Sequence, residues 1–170
     1  MKDVTTFLAH AIQVEHDAAR RFEDLTHSME AYGNREVESL FRQLGELSRR
    51  HLQSAMARGG FQTVPKLSQD QFTWPDGVSP EAVGWQGVDS ALDELSALEL
   101  ALEGEVAGHE YYKAVAKLSP DPELRHMAAE FAEEEAQHVS ELERWIEKYR
   151  SDGPHKPRPR AQPRSKPAGP

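Results

Sequence analysis

Two long helical segments of the chain repeat one arrangement of acidic, aromatic and histidine positions. In the first segment Glu15 precedes His51 by 36 residues, and in the second Glu105 precedes His138 by 33 residues. Each of the two glutamates is followed by an aromatic residue seven positions later and by an aliphatic residue ten positions later. The two halves therefore differ mainly in hairpin length, and the repeat constrains the chain to two equivalent helix pairs.

Apolar residues spaced three and four apart predict four long helices, because that spacing lines one face of an α-helix. The predicted helices cover residues 5–32, 34–58, 89–118 and 122–149. Gly33 should end the first helix and Asn34 should cap the second. Residues 59–88, rich in proline and glycine, predict a long connection with a short helical turn near Pro80. Short outer links and a long middle link predict an all-α, ferritin-like antiparallel four-helix bundle with a crossover between helices 2 and 3.

Composition predicts one domain, residues 1–150, followed by a disordered tail, residues 151–170, that is rich in proline, arginine and lysine. The tail carries five basic residues against one acidic residue, so the formal net charge of -9 is concentrated in the bundle. An acidic body argues against nucleic-acid binding. No apolar run approaches the roughly 20 residues that cross a bilayer, and no signal peptide is visible, so we expect a cytoplasmic protein without a membrane partner.

The absence of cysteine limits the metal chemistry available to the chain. It excludes disulfides, thiolate zinc sites and cysteine-ligated iron centres. Any metal must be held by Glu, Asp and His, a donor set that suits iron, manganese or zinc.

The pair Glu135 and His138 lies within the fourth predicted helix, where residues three apart point to the same side. Such Glu-x-x-His pairs project inward and hold paired iron or manganese ions in some four-helix bundles. The corresponding segment of helix 2 keeps His51 but has Ser48 at the glutamate position.

With these motifs, residues 5–149 outside the middle connection resemble the rubrerythrin branch of the ferritin-like di-iron proteins. The resemblance implies the metal ligands Glu15, His51, Glu105, Glu135 and His138, with two iron ions per site and manganese or zinc as alternatives. It also implies an oxidoreductase acting on peroxide or oxygen, or oxidising ferrous iron, and a homodimer. Rubrerythrins carry a cysteine-rich rubredoxin domain that this chain lacks, so electrons would come from a separate donor protein or from ferrous iron itself. No catalytic residue is assigned.

Ser48 leaves alternatives open. Three glutamates carry -3 against the +4 of two divalent ions, and we hypothesise that His109, for which Gly108 makes room, or a water held by Ser48 completes the site. An inward His109 could instead bond Glu105 or Glu135. The protein could also be a metal-binding module without turnover, or a structural bundle whose metal site has degenerated.

The remaining polar and aromatic residues have predicted places. Glu46 should face solvent, and four further histidines should lie at the surface or its boundary: His10, His16, His27 and His126. Tyr112 should lie near the metal site, whereas Phe22, its counterpart in the first half, can only pack. Trp74 and Trp85 should fix the crossover to the bundle.

Overall fold

The described residues of the computed structural model, 3–65, 74, 79–82 and 92–152, contain α-helices and one short 3-10 turn. The helices are α1 (Val4–Tyr32), α2 (Arg35–Gly59), α3 (Glu94–Leu118) and α4 (Pro122–Asp152). Helix α1 packs along α2, and α3 packs along α4, while the connection from α2 to α3 contributes the 3-10 turn Pro80–Ala82 to the bundle. The predicted four-helix bundle with a long crossover is confirmed.

The helix ends follow the sequence signals around the first link. Gly33 adopts φ 91°, a left-handed conformation that glycine tolerates without strain, and ends α1. The Asn34 side chain then accepts a hydrogen bond of 3.1 Å from the Val37 amide and caps α2. Gly60, at φ 68°, ends α2 in the same way. These predicted boundaries are confirmed within one residue.

Helix α3 begins later than predicted. The helix was expected from about Asp89, but Leu92 and Asp93 are not helical and α3 begins at Glu94. The Asp93 carboxylate accepts the Ser96 amide at 2.8 Å, which satisfies a free N–H of the first turn and requires Asp93 itself to be extended. Residues 89–91, which the prediction also assigned to this helix, lie outside the described residues.

Helix α4 continues to Asp152, past the predicted end at residue 149. The predicted domain boundary after residue 150 therefore falls inside a helix. The predicted tail lies outside the described residues from position 153 onwards. No helix in the described ranges is long and apolar enough to cross a membrane.

The apolar core consists of two layers. One layer surrounds Phe22, Phe41 and Leu98, and the other surrounds Phe7 and Tyr112. Every helix passes from one layer to the other, and the short stretch between them carries polar residues. The candidate site therefore lies in the middle of the bundle, closed off by apolar packing at both ends.

Trp74 fixes part of the crossover to the second layer, as predicted. Its ring centroid lies 4.9 Å from that of His10 and 5.3 Å from that of Tyr111. His10 was predicted at the surface or its boundary, and this is wrong: the residue is fully buried, and its Nδ1 donates to the Thr6 carbonyl at 2.8 Å. The prediction failed because the covering Trp74 comes from a distant part of the sequence. Trp85 lies outside the described residues.

Candidate metal centre

Acidic and histidine side chains from all four helices meet between the two apolar layers. Glu15 from α1, Glu105 from α3, and Glu135 and His138 from α4 are buried, and His51 from α2 is 15% exposed. These are the five residues that the sequence analysis predicted as metal ligands. Helical periodicity brings them together, since each lies on the same face as its helix's core residues.

Glu105, Glu135 and His138 form the most compact group. One donor atom from each lies within 4.8 Å of the others, close enough to hold one metal ion. His138 Nδ1 is 2.9 Å from Glu105 Oε2 and 3.5 Å from Glu135 Oε2. Two carboxylates and one imidazole are ligands that iron, manganese and zinc accept.

Glu15 and His51 lie beside this triad as a looser pair. His51 Nδ1 is 3.7 Å from Glu15 Oε2, which is an ion-pair distance and too long for a hydrogen bond. The His51 ring stacks on His138, with centroids 5.6 Å apart and planes 7° apart. The buried Ser48 hydroxyl donates to the Leu44 carbonyl at 3.2 Å, so this side chain is turned onto its own helix.

A buried ion pair that the sequence analysis did not identify lies against the triad. The Arg21 side chain is 2% exposed, and its Nη2 is 2.7 Å from Glu105 Oε1. Its Nη1 pairs with the carboxylate of Glu81, which is 1% exposed, and donates to the Glu81 carbonyl at 3.2 Å. Glu81 comes from the 3-10 turn of the crossover, so the connection between the hairpins supplies a fourth buried carboxylate.

Two glycines of α3 make room for this pair. A Cβ at position 104 would overlap the Arg21 guanidinium, and a Cβ at position 108 would lie 2.6 Å from Glu81 Oε1. The space beside Gly108 was predicted to accommodate His109, but Glu81 occupies it. The helix needs no side chain at either position because the long residues opposite fill both volumes.

The hypothesis that His109 completes the site is wrong, and so is the expected bond to Glu105 or Glu135. The ring is 25% exposed, and its Nδ1 donates to the Ala132 carbonyl of α4 at 2.8 Å. His109 lies four residues after Glu105, which at about 100° per residue places it about 40° further around the helix axis. It therefore lies where α3 meets α4 and not in the core.

The sequence carried a signal for the burial of Arg21 but none for that of Glu81. Arg21 lies three residues after Ala18 and four before Leu25, both buried, so helical spacing places it on the inner face. Its charge alone argued against burial. Glu81 lies in a proline- and glycine-rich connection that carries no periodicity, and no comparable signal pointed to it.

Comparison with known proteins agrees with this geometry. A model of the rubrerythrin family matches residues 96–168, a range that includes Glu105, Glu135 and His138. The chain is also similar to the crystal structure, at 2.00 Å resolution, of an uncharacterized conserved protein from Magnetospirillum magnetotacticum MS-1. The two sequences are 37% identical with a TM-score of 0.70, and the match covers 92% of this chain and 97% of that one.

The chain belongs to the rubrerythrin family. The ferritin-like fold predicted from sequence is thereby confirmed. A comparison with curated proteins gave no match.

The residues of this rubrerythrin-family core fit the metal that the family implies. The triad offers buried oxygen and nitrogen donors in one place. His51 Nδ1 is buried and has no hydrogen-bond partner among the described residues. A buried polar atom without a partner is costly, and a metal ion would meet that need.

Burial and mutual repulsion separate the pKa values of the triad carboxyls. Burial and the nearby charges of Glu105 and Glu15 raise the pKa of Glu135 well above its ordinary value. Burial also acts to raise the pKa of Glu105, but hydrogen bonds with His138 and Glu135 and the Arg21 charge lower it to about 2. The two shifts run in opposite directions, so a proton shared between these carboxyls is favoured on Glu135.

Burial also acts to raise the pKa values of the two carboxyls beside the triad, Glu81 and Glu15. Burial acts to raise the pKa of Glu81, and the charge of Arg21 opposes that rise. Burial also raises the pKa of Glu15, although His51 acts in the opposite direction. Four buried carboxyl groups thus lie close to one guanidinium, which is a setting that attracts cations.

Tyr112 contacts the same group, near the position predicted for it. Its hydroxyl donates to Glu15 Oε1 at 3.3 Å, and burial raises the pKa of the phenol well above its ordinary value. Its ring stacks on Phe131 with centroids 5.1 Å apart. Phe22, its counterpart in the first half, packs in the apolar core as expected.

The other polar predictions need little change. Glu46, His27 and His126 are exposed, and His16 is partly exposed. None of these four residues belongs to the buried cluster that the structure describes.

Proposed function

We propose that this chain binds a divalent transition metal, with iron as the first choice, at Glu105, Glu135 and His138. The observation that carries the proposal is the buried triad, whose donor atoms lie within 4.8 Å of one another. Membership of the rubrerythrin family supports the same assignment. Manganese and zinc remain alternatives, because the same donors accept them.

Glu15 and His51 belong to the proposed ligand set as well. Both lie beside the triad, and His51 already stacks on His138. Small side-chain movements would add their donors to an ion that the triad holds. Tyr112 would then orient Glu15 through its hydrogen bond.

We further propose that the bound metal serves oxidation–reduction with peroxide, oxygen or ferrous iron. Bound iron would supply one-electron chemistry at a site shielded from bulk water. With ferrous iron as substrate, two ferrous ions and two protons would reduce one hydrogen peroxide to two waters and yield two ferric ions. This balance needs no cysteine-bound relay in the chain, and a separate donor protein could replace ferrous iron as the electron source.

A second candidate is a metal-binding module that does not turn over. Two observations favour it: the Ser48 hydroxyl is turned onto its own helix, and Arg21 lies among the carboxylates. Both features reduce the capacity of the site to hold and couple two ions.

Metal content separates these candidates from a bundle without a metal site. The purified chain is loaded anaerobically with ferrous iron, desalted and analysed for iron, beside Glu135→Gln and the control Glu133→Gln on the exposed face of α4. We expect iron in the wild type and the control, and at least a tenfold loss of affinity in Glu135→Gln. Equal iron in all three, or none in any, would contradict the proposed site.

Turnover then distinguishes the first candidate from the second. Peroxide consumption is followed with ferrous iron as the electron source, in the wild type and in Glu135→Gln. Consumption that exceeds the rate in buffer and falls in the variant supports the oxidoreductase. Binding without faster consumption supports the metal-binding module.

A further inference from the structure

We propose that the site holds one metal ion per chain, and that the Arg21 guanidinium replaces the second cation of a two-metal centre. This inference rests on the proposed metal binding and narrows it. It also revises the two-ion stoichiometry that the sequence resemblance implied.

The first argument concerns the two oxygens of Glu105. A carboxylate that bridges two cations gives one oxygen to each. Glu105 Oε2 faces His138 at 2.9 Å, on the side of the triad, while Oε1 is bound by Arg21 at 2.7 Å. The carboxylate is thus already shared between the metal-binding side and a fixed positive charge.

The second argument concerns the donors available for a second ion. On the side of Glu15 and His51, the position that would carry a third donor is Ser48. Its hydroxyl donates to the Leu44 carbonyl. The half-exposed Glu134 lies 3.7 Å from His51 Nε2, whereas Glu15 faces Nδ1, so among the described residues these side chains do not form a metal-sized group. Two donors do not hold a divalent ion as the triad can.

The third argument is that Arg21 cannot easily leave or lose its charge. A guanidinium stays protonated in proteins, so burial does not neutralise it. Arg21 is held from two sides, by Glu81 and by Glu105, and Gly104 provides the volume that its head occupies. Any second cation would enter next to this charge.

The test counts ions and asks whether they are coupled. The intact chain is titrated anaerobically with manganese(II) alone, and bound metal is measured by elemental analysis and by electron paramagnetic resonance. We expect one ion per chain with the six-line signal of an isolated manganese(II). Two ions per chain, or a spin-coupled spectrum, would overturn the single-ion proposal and leave metal binding intact, whereas no bound metal would overturn the proposed function itself.

Variants test the role of Arg21 directly. The triple variant Arg21→Met/Glu81→Met/Ser48→Glu removes the buried pair and restores a carboxylate on α2, and it should bind two ions. The matched control Arg20→Met/Ser48→Glu alters an exposed arginine and keeps Arg21, and it should bind one. Two ions in the control, or one in the folded triple variant, would contradict the role of Arg21; if circular dichroism shows that the triple variant is unfolded, the wild-type count decides.

Discussion

At the scale of single residues, the centre of this bundle combines proposed ligands that helical spacing predicted with a buried ion pair that it did not. Helical periodicity identifies the inward-facing positions of a helix, whether the residue there is apolar or polar. It therefore predicted the buried positions of Glu15, Glu105, Glu135 and His138. Arg21 lay at an equally inward position, yet a lone arginine in a core is improbable until its partner is known. That partner, Glu81, comes from the crossover, whose path local sequence does not determine.

Removing one member of the buried pair should be costly. In Arg21→Met, Glu81 stays buried without its counter-charge, and we expect a loss of about 3–5 kcal/mol in the free energy of unfolding. The double variant Arg21→Met/Glu81→Met removes both charges and should recover much of that loss. Urea unfolding of both, with the exposed Arg20→Met as control, gives the comparison. A double variant less stable than Arg21→Met would argue that the pair itself stabilises the fold.

Gly104 offers a test of the packing around Arg21. Alanine is favoured over glycine inside a helix by about 1 kcal/mol, so Gly104→Ala would stabilise an open position. Because the new Cβ would overlap the Arg21 guanidinium, we expect destabilisation instead, typically by about 1–3 kcal/mol for an overpacked core. Thermal unfolding measures the sign. If Gly104→Ala raises the midpoint, Arg21 does not occupy this space.

At the scale of elements, the helix ends show how far local chemistry carries a prediction. Gly33 ended α1 and Asn34 capped α2 as expected, because each signal acts within a few residues. The start of α3 was predicted too early, since Asp89 and Asp93 are both suitable caps and periodicity alone did not choose between them. His10 and His109 were misjudged because the groups that surround them belong to other elements.

The Asp93 cap makes a quantitative prediction. Asp93→Ala should destabilise the protein by about 1 kcal/mol, whereas Asp93→Asn, which keeps an accepting oxygen, should cost little. Chemical unfolding at neutral pH compares the two. Equal losses in both variants would show that charge, and not the hydrogen bond to the Ser96 amide, is what Asp93 contributes.

The same cap has a predictable dependence on pH. The hydrogen bond from the Ser96 amide lowers the pKa of Asp93 below its ordinary 3.8. Because the folded pKa is the lower one, the stabilisation is complete above about pH 4 and is lost as the pH falls through the folded pKa. The stability difference between wild type and Asp93→Asn should therefore change below pH 4 and stay constant from pH 5 to 7. A difference that changes near neutral pH would contradict this account.

At the scale of the whole molecule, two similar hairpins enclose a site that is not symmetric. The repeat in the sequence predicted the fold and the meeting of the five proposed ligands in the core. The crossover then breaks the symmetry, since its Glu81 enters beside α3 and pairs with Arg21 of α1. Asymmetry of this kind depends on long-range packing. When the two repeated halves of the sequence are compared, the only sign of it at the site is Ser48 in place of a glutamate.

The predicted homodimer remains a prediction at this scale. Sedimentation equilibrium of the full chain should give twice the 19.1 kDa of one chain. A mass of one chain across the micromolar range would remove the dimer from the account without affecting the site, because every buried donor described comes from a single chain.

Anomalous X-ray scattering from a crystal loaded with ferrous iron tests the central claim most directly. Difference maps collected on either side of the iron absorption edge should show one peak per chain in the bundle core, within bonding distance of Glu105, Glu135 and His138, with Arg21 still paired to Glu81. The absence of a peak in the core, or a peak that leaves these three side chains uncoordinated, would contradict it.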